Sequence, residues 1–521
     1  MAAPATSSGT ASETPPTGPA DQGLDRGVLL VASVVVLGAI MSILDVTVVN
    51  VAIKTLAVDF NTTLSTIQWV ATGYTLALAT VIPLTGWGAD RFGTKRLYLT
   101  SIILFVLGSA LAGTAWNAGS LIFFRVLQGL GGGMLMPVGM TILTRAAGPQ
   151  RVGRVMAIIG VPMLLGPIFG PILGGWLVDD FSWRWIFYIN LPIGVLALIL
   201  SLRILPRDVS APNHRLDLLG LVLLSPSLAL LIYGLAQSSS AGGFGSAKAW
   251  LPALVGAVLL VAFVWHALRT SDALVDLRLF LNRTFTASSV TLILMIISVF
   301  GGMLLLPLYL QVVRGESAMD TGLLLAPQGF GAMLAMPIAG RLTDRTGVGR
   351  IAPAGLAVVA VSFLGLTQLQ ADTSYWFLGV LLFIMGVGMG FTMMPTFSGA
   401  MQTLRRASIA RASTSLNITQ QVGASIGTAV MSVLLTAAIK DRIPGASGGL
   451  NSTASLPPEA RAKVAPPLAD AFASTFWWAL GLVLVAFVVA LVLLPKDKPE
   501  PVEDDDDPAA AAEVAGATML G

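Results

Sequence analysis

Apolar runs of membrane-spanning length recur along the chain. An α-helix rises about 1.5 Å per residue, so about 20 apolar residues cross a hydrocarbon core about 30 Å thick. The sequence contains fourteen such runs, at residues 28–53, 67–87, 97–116, 119–142, 154–178, 186–205, 217–237, 250–268, 285–312, 320–340, 351–370, 375–398, 411–438 and 472–495. The pattern therefore predicts an all-α integral membrane protein with fourteen transmembrane helices.

Three segments fall outside this pattern. Residues 1–27 are rich in Ala, Pro, Ser and Thr and have no positively charged start, which predicts a disordered tail rather than a signal peptide. Residues 496–521 contain the acidic run Asp504–Asp507 and predict a second disordered tail. The long connection 439–471 is rich in Pro, Ser and Ala, and we expect it to be irregular.

Composition narrows the classes of function. Hydrophobic residues make up 55% of the chain and charged residues 11%, as in a membrane protein. The absence of Cys excludes disulfides, thiolate metal sites and cysteine nucleophiles, and two histidines, His214 and His266, are too far apart for a metal cluster. A net charge of +3 gives no reason to expect a nucleic-acid partner. Since the sequence shows no catalytic Ser/His/Asp set or nucleotide loop, we expect no enzyme activity, cofactor or metal.

The distribution of basic residues predicts the orientation in the membrane. If the N-terminus is cytoplasmic, the inner loops and ends carry 21 Lys and Arg residues and the outer side carries 8. Positive charge accumulates on the cytoplasmic side of membrane proteins. We therefore expect both termini in the cytoplasm, with Arg125 as the one basic residue inside a helix.

One carboxylate, Asp45, lies inside the apolar run 28–53, and we expect every other acid in a loop or tail. An Asp at the bilayer centre costs roughly 2.5–3.5 kcal/mol on insertion scales, so it is rarely there without a role. Asp45 and Arg125 lie about 12 Å and about 9 Å inside the outer ends of their helices, by helix rise. The two can meet and form a proton or cation site. A structural role remains open for each, bonded to a neighbouring helix or to backbone.

A glycine-rich sequence with an Asp-Arg pair occurs twice. The first copy runs from Gly86 to Arg96, and the second begins at Gly340, with Asp90 and Asp344 separated by 254 residues. Each copy follows the second helix of a predicted group of helices, which indicates an internal duplication.

These and other motifs resemble those of the major facilitator superfamily, and specifically its fourteen-helix drug:proton antiporter group, the EmrB/QacA-like multidrug efflux transporters. Residues 86–96 resemble its motif A, and Arg125-x-x-Gln128-Gly129 resembles motif B. The glycine and proline pattern of 160–175 is similar to the antiporter motif C. Leu44–Ala52 and Trp183–Gly194 are similar to signatures of the fourteen-helix group.

The resemblance implies a major facilitator fold. It divides the chain into two six-helix halves, 28–205 and 271–495, and two inserted helices in 206–270, which we expect at the periphery. It implies that Arg125 assists proton transfer at Asp45. It also implies a gating loop in both copies of motif A, with the degenerate second copy less able to gate; the gating residues are Gly86, Asp90, Arg91, Gly93, Asp344 and Arg345.

Two further motifs have structural and functional interpretations. Gly166, Gly170 and Gly174 repeat at four-residue intervals, so they form one smooth helix face beside Pro167. The resemblance implies that this face joins the two halves and limits leak between them, whereas ordinary small-residue packing is the alternative. The Trp183–Gly194 signature is expected at the outer end of its helix, where its aromatic residues fit an interfacial belt.

Polar or adaptable side chains on the helices that line the superfamily's cavity are candidates for binding substrate. Met and aromatic side chains suit varied hydrophobic ligands, and amides at depth need partners, although Met and Phe in membrane helices usually just pack. The candidates are Gln68, Tyr74, Gln128, Met134, Phe300, Tyr309, Gln311, Gln328, Met389, Phe391, Asn417 and Gln421.

The sequence thus predicts a proton-coupled secondary transporter of the bacterial cytoplasmic membrane that works by alternating access. Its expected partners are protons, hydrophobic or amphipathic small molecules and membrane lipid, and we expect a monomer. Export or flipping of an endogenous lipid, siderophore or metabolite is the alternative.

Overall fold

The computed structural model describes residues 25–62, 64–148, 151–206, 216–241, 245–270, 273–404, 408–443 and 458–496. Most of these residues are helical and they contain no strand, which confirms the predicted all-α class. The α-helices are α1 Arg26–Asp59, α2 Leu64–Val81, α3 Leu84–Phe92, α4 Thr94–Gly113, α5 Ala118–Ala147, α6 Val152–Asp180, α7 Trp185–Tyr188, α8 Asn190–Ile204, α9 Leu218–Ala241, α10 Ala247–Arg269, α11 Arg283–Leu308, α12 Ala318–Thr346, α13 Val348–Leu366, α14 Tyr375–Gln402, α15 Ile409–Arg442 and α16 Pro458–Leu493.

Among the described residues, 12 helices are long and apolar enough to cross a membrane, or 13 if the bent pair α2–α3 forms one span. The predicted run 154–178 is not among these spans, although it lies within the 29-residue helix α6. A bend of 55° separates α2 from α3, where the sequence predicted one helix. Pro83 stands at this bend, and because it has no N–H it cannot continue the helical hydrogen bonds.

The segment 439–471 was predicted to be irregular, and this is wrong at both of its ends. Helix α15 continues to Arg442, and α16 begins at Pro458. Pro466 and Pro467 lie inside α16. Residues 444–457 lie outside the described ranges, as do most of the two predicted disordered tails.

The helices pack in two sets. In the N-terminal set, α1–α8, helix α1 packs on α5, α6 and α8, and α5 also packs on α2 and α4. In the C-terminal set, α11–α16, helix α11 packs on α14, α15 and α16, and α14 also packs on α12 and α13. The sets meet where α6 packs on α12 and α14, and where α3 and α5 pack on α15. The exact domain boundaries stay a prediction.

Helices α9 and α10, between the two sets, pack closely on each other. A Cβ atom at Gly256 of α10 would lie 2.8 Å from the backbone nitrogen of Leu231 in α9, so only glycine fits there. Helix α9 also packs on α2 and α15, one from each set. Only 17% of the membrane-spanning window of α10 is buried, which places α10 on the outside of the molecule.

Candidate functional site

The carboxylate of Asp45 lies in the interior of the N-terminal set, where it is 1% exposed. The guanidinium of Arg125, on α5, is 0% exposed, and its Nη1 lies 2.5 Å from Oδ2 of Asp45. The two residues whose depths matched in the sequence are therefore in direct contact. A buried charge that loses such a partner is strongly destabilising, so each residue requires the other.

Two amides complete the coordination of this carboxylate. Gln128 Nε2 donates to Asp45 Oδ1 at 2.8 Å, and Asn190 Nδ2 donates to the same oxygen at 3.1 Å. Arg125 also donates from Nη1 to Gln128 Oε1 at 2.8 Å and from Nε to the Val70 carbonyl at 3.2 Å. We call Asp45, Arg125, Gln128 and Asn190 the Asp45 cluster. It joins α1, α5 and α8 and touches α2 through that carbonyl.

Tyr74 covers the other side of the guanidinium. Its ring centroid lies 4.0 Å from Arg125 Cζ, a cation–π contact in a buried setting. The close approach of α2 to α5 depends on glycine, because a Cβ atom at Gly129 would lie 2.6 Å from the Tyr74 carbonyl oxygen. Tyr74 and Gln128 were predicted to bind substrate, and the structure places both on the Asp45 cluster.

The sequence did not identify Asn190 as part of this site. The aromatic residues of the signature Trp183–Gly194 were predicted to fit an interfacial belt, and this is wrong for Trp183 and Phe187, which are buried. Trp183, Phe187 and Asn190 are each at most 3% exposed. Trp183 Nε1 donates to Asp59 at 2.7 Å, which fixes the segment to the end of α1. The signal in the sequence was an amide within an apolar run, since such an amide needs a partner.

The glycine face of α6 packs on α1, next to Asp45. A Cβ atom at Gly166 would lie 2.0 Å from Ile43 Cγ2, and one at Gly170 would lie 2.0 Å from Thr47 Oγ1. Thr47 Oγ1 also donates to the Gly166 carbonyl at 3.3 Å. The face therefore holds two helices of one set together, and the expectation that it joins the two halves is wrong.

The same face extends further along α6. A Cβ atom at Gly174 would lie 3.1 Å from Val48, again on α1. The contact between the sets is made by α6 as well, through its packing on α12 and α14. The side chain of Pro167 lies outside the described residues.

The two copies of motif A have the same backbone geometry. Gly93 separates α3 from α4 with φ 87° and ψ 150°, and Gly347 separates α12 from α13 with φ 84° and ψ 160°. Positive φ favours glycine, so both positions need this residue. Asp90 and Asp344 were expected in loops, and this is wrong, because they lie inside α3 and α12.

Each of these aspartates contacts an arginine of the opposite set. Asp90 lies 3.6 Å from Arg411 Nε and 3.8 Å from Arg145 of its own set. Asp344 lies 3.2 Å from Arg154 Nε and also accepts the backbone N–H of Arg154 at 3.3 Å. The side chain of Asp344 is 2% exposed and that of Asp90 is 11% exposed. The degenerate second copy thus forms the more buried contact, and its gating role stays a prediction.

Neutral side chains join the sets at the same end of the molecule. Thr85 and Thr414 share a hydrogen bond of 2.9 Å, and Ser413 donates to the Pro137 carbonyl at 3.1 Å. Gly86 allows this approach, since a Cβ atom there would lie 3.2 Å from Thr414 Oγ1. The end predicted to be cytoplasmic is therefore held closed by polar contacts. The remaining gating residues, Arg91 and Arg345, are exposed beside these contacts.

The remaining substrate candidates are dispersed over the described part of the molecule. Gln68 and Gln311 are exposed. In the C-terminal set, Gln328 Nε2 donates to Met389 Sδ at 3.3 Å, and both side chains are buried. Tyr309 donates to the Gln370 carbonyl at 2.5 Å, and Asn417 donates to the Ser413 carbonyl of its own helix. Met134 is buried in the core. The remaining candidates are partly buried: Phe300, Phe391 and Gln421.

Comparison with known sequences identifies the family. Residues 35–428 match the sequence profile of the family described as Major Facilitator Superfamily. The chain belongs to the major facilitator superfamily. It is 45% identical over 495 residues to the multidrug resistance protein B homolog of Mycobacterium tuberculosis, with 91% of each chain covered. It is 33% identical over 406 residues to the multidrug export protein EmrB of Escherichia coli K12, with 77% of this chain and 78% of that protein covered.

The transporter therefore falls in the EmrB-like multidrug group of this superfamily, as its motifs indicated. Solved structures show the same fold at low sequence identity. The human organic anion transporter MFSD10 superposes with a TM-score of 0.61 at 17% identity, covering 89% of this chain and 100% of that one. The proton:xylose symporter XylE gives 0.56 at 12% identity, covering 91% and 97%.

Proposed function

We propose that this transporter exports hydrophobic or amphipathic drugs and related compounds across the bacterial cytoplasmic membrane, driven by protons that move inward. The observation that carries the proposal is the buried Asp45 carboxylate, bonded to Arg125 and to two amides. Ionisable residues inside membranes mark proton or ion pathways. The multidrug names of its relatives supply the substrate class.

The charge of the Asp45 cluster explains why proton and substrate would exclude each other. With Asp45 ionised, its charge and that of Arg125 cancel. Protonation of Asp45 leaves the cluster with one positive charge in an apolar interior. Because like charges repel strongly at low dielectric, a lipophilic cation binds less well to the protonated state than to the ion-paired state. Binding of a cationic substrate from the cytoplasm therefore accompanies loss of the proton, as antiport requires.

The closed end of the molecule is compatible with alternating access. The contacts Asp90–Arg411 and Asp344–Arg154 join the two sets at the end predicted to be cytoplasmic, so this end must open once per cycle. Asp90–Arg411 is partly exposed, and ion pairs near the surface contribute about 0–1 kcal/mol. Asp344–Arg154 is more buried, so more free energy is needed to open it. Binding of a proton or a substrate can supply this free energy, so such contacts hold a state without trapping it.

Substrate-induced proton movement in proteoliposomes tests the proposal. With a pH-sensitive dye, we expect wild type to release protons when a lipophilic cation is added. Asp45→Asn keeps a side-chain oxygen that can accept from Arg125, so we expect it to fold but release none. Asp320→Asn is the matched control, since Asp320 is exposed in the first turn of α12. Proton-dependent export retained by Asp45→Asn would exclude Asp45 as the coupling residue.

The same preparation separates drugs from an endogenous lipid. Labelled phospholipid is added to the vesicles in place of the cation, and its movement between leaflets is measured. Movement of lipid without proton flux, in wild type and in Asp45→Asn, would favour a flippase and leave Asp45 a structural residue.

A further inference from the structure

The amide of Asn190 lies between two acceptors on different helices. Its Nδ2 donates to Asp45 Oδ1 at 3.1 Å and to Ser109 Oγ, on α4, at 3.1 Å. Asn190 is 2% exposed and Ser109 is 0% exposed, so water does not compete for these bonds. A primary amide has two N–H groups and one carbonyl oxygen, and turning it exchanges donor for acceptor. Asn190 can therefore respond when a neighbouring group changes from acceptor to donor.

The hydrogen bonds continue from Ser109 to the backbone. Ser109 Oγ donates to the Phe187 carbonyl at 2.9 Å. This carbonyl belongs to α7. The backbone stays helical at Ile189, with φ −60° and ψ −27°, so the break between α7 and α8 is the loss of one hydrogen bond. The break has a cause in the sequence, because Pro192 has no N–H to donate to the Tyr188 carbonyl. The chain of bonds thus ends at a locally weakened point of the helix.

Helix α7 and the residues just before it lie on the N-terminal side of this break, and they are attached to the end of α1. Trp183 packs edge-on against Phe187, with ring centroids 6.2 Å apart, and against Phe60 at 5.3 Å. Its Nε1 donates to Asp59, which is exposed at the end of the molecule opposite the motif A contacts. A continuous set of contacts therefore connects Asp45 with the end from which the proposed function draws its protons.

We propose that Asn190 is a positioning residue that responds to the protonation of Asp45 and passes this change through Ser109 to the break between α7 and α8. This inference rests on the proposed function. When Asp45 is ionised, the Asn190 amide donates to it. A proton on Asp45 Oδ1 makes that oxygen a donor, so the Asn190 amide turns and presents its carbonyl oxygen. The bond to Ser109 and the Phe187 carbonyl then rearranges.

Other charged and titratable groups around Asp45 are few within the described residues. Arg125 faces Asp45 from α5, and Tyr74 faces the pair from α2. The neighbours on α4, α6 and α8 are uncharged: Ser109, the glycine face of α6, and Asn190 itself. Among these groups Asn190 donates to Asp45, so a change at Asn190 that Asp45→Asn abolishes reports on that carboxyl.

Infrared difference spectroscopy between acid and alkaline samples tests the proposal without transport. The purified transporter carries isotope-labelled asparagine. We expect a carboxyl band that Asp45→Asn removes, and a labelled amide band that changes over the same pH range and that Asn190→Leu removes. A carboxyl band without any accompanying asparagine change would overturn the inference, as would an amide change that persists in Asn190→Leu.

A matched pair of serine variants provides the second readout. Ser109→Ala removes the link from Asn190 to the Phe187 carbonyl. Ser101→Ala is the control on the same helix, since Ser101 is equally buried and donates only to its own helix at Leu97. We expect Ser109→Ala to lower proton-driven turnover about tenfold, the usual effect of one hydrogen bond in a buried network, with KM unchanged. Equal effects of the two variants would overturn the inference.

The two proposals fail in different ways. If Asn190 follows Asp45 in the infrared spectra but wild type releases no protons on adding substrate, the inference stands and the proposed antiport fails. If wild type releases protons and Asp45 gives a band while asparagine does not respond, the antiport stands and the inference fails.

Discussion

The interiors of the two helix sets differ in the chemistry that they contain. In the N-terminal set, α1 and α5 bring Asp45, Arg125 and Gln128 into one buried polar cluster. In the C-terminal set, the corresponding first helix α11 carries no acid. Among the described residues, Gln328 donates to the thioether of Met389 on the fourth helix, α14. The difference teaches that duplication of the fold did not duplicate the ionisable site.

The ends of the sets give the opposite result. Both copies of motif A keep an aspartate, a glycine with positive φ, and a contact to an arginine of the other set. Under the proposed cycle, both sets must separate and meet again, so each needs its half of the closure. Under the same proposal the proton would be exchanged at one place, so a single carboxylate would suffice.

Removing one member of the ion pair Asp45–Arg125 should change the free energy of unfolding more than any other substitution in the comparison of the two sets. Arg125→Met leaves the Asp45 charge buried without a partner, and we expect the free energy of unfolding in detergent to fall by roughly 3–5 kcal/mol. Asp45→Leu together with Arg125→Met should recover most of this loss, because no buried charge remains. A double variant as unstable as Arg125→Met alone would contradict the importance of pairing.

Two buried glutamines allow the sets to be compared with the same substitution. Gln128→Leu loses a bond to a charged acceptor and should cost about 1.5–3 kcal/mol in the free energy of unfolding, whereas Gln328→Leu loses a weaker bond to sulfur and should cost about 1 kcal/mol or less. Chemical unfolding of both variants in the same detergent measures the difference. Similar losses would mean that the two buried glutamines contribute equally to the free energy of unfolding.

The smallest expected difference is between the contacts Asp90–Arg411 and Asp344–Arg154 in their effect on opening. Because the chain contains no Cys, Ser413→Cys at the contact between the sets is a unique reporter of opening. The partly exposed pair at Asp90 contributes about 0–1 kcal/mol, so we expect Asp90→Asn to raise the rate of maleimide labelling up to about fivefold. Asp344→Asn should raise it more, because its pair is more buried. Asp320→Asn should leave the rate unchanged. A larger effect of Asp90→Asn would reverse the order inferred from burial.

Most of the fold could be predicted because the bilayer dictates the length of each apolar run. Hydropathy does not register the hydrogen bonds that a proline removes, so the breaks beside Pro83 and before Asn190 were not predicted. The aspartates of motif A were expected in loops for a similar reason, since a polar residue lowers hydropathy whether or not the helix continues.

The site could be predicted in part. Asp45 and Arg125 are costly in a membrane, and helix rise alone gives their depths, so their contact was foreseeable. Asn190 costs less to bury and lies 145 residues from Asp45, and its aromatic neighbours indicated an interface instead. The four-residue spacing of Gly166 and Gly170 shows that one face is smooth but not which helix lies against it.

The position of α9 has a mechanical consequence. This helix touches α2 of one set and α15 of the other, so relative movement of the sets requires one of these two surfaces to slip. Ser225 of α9 donates to the Thr80 carbonyl of α2 at 2.7 Å, whereas Ile418 and Val422 of α15 pack against the apolar cluster that contains Leu224 and Leu228 of α9. Apolar contacts have no preferred direction and tolerate sliding better than a hydrogen bond does. Helix α9 should then move together with α2, and the contact between α9 and α15 should be the one that slides.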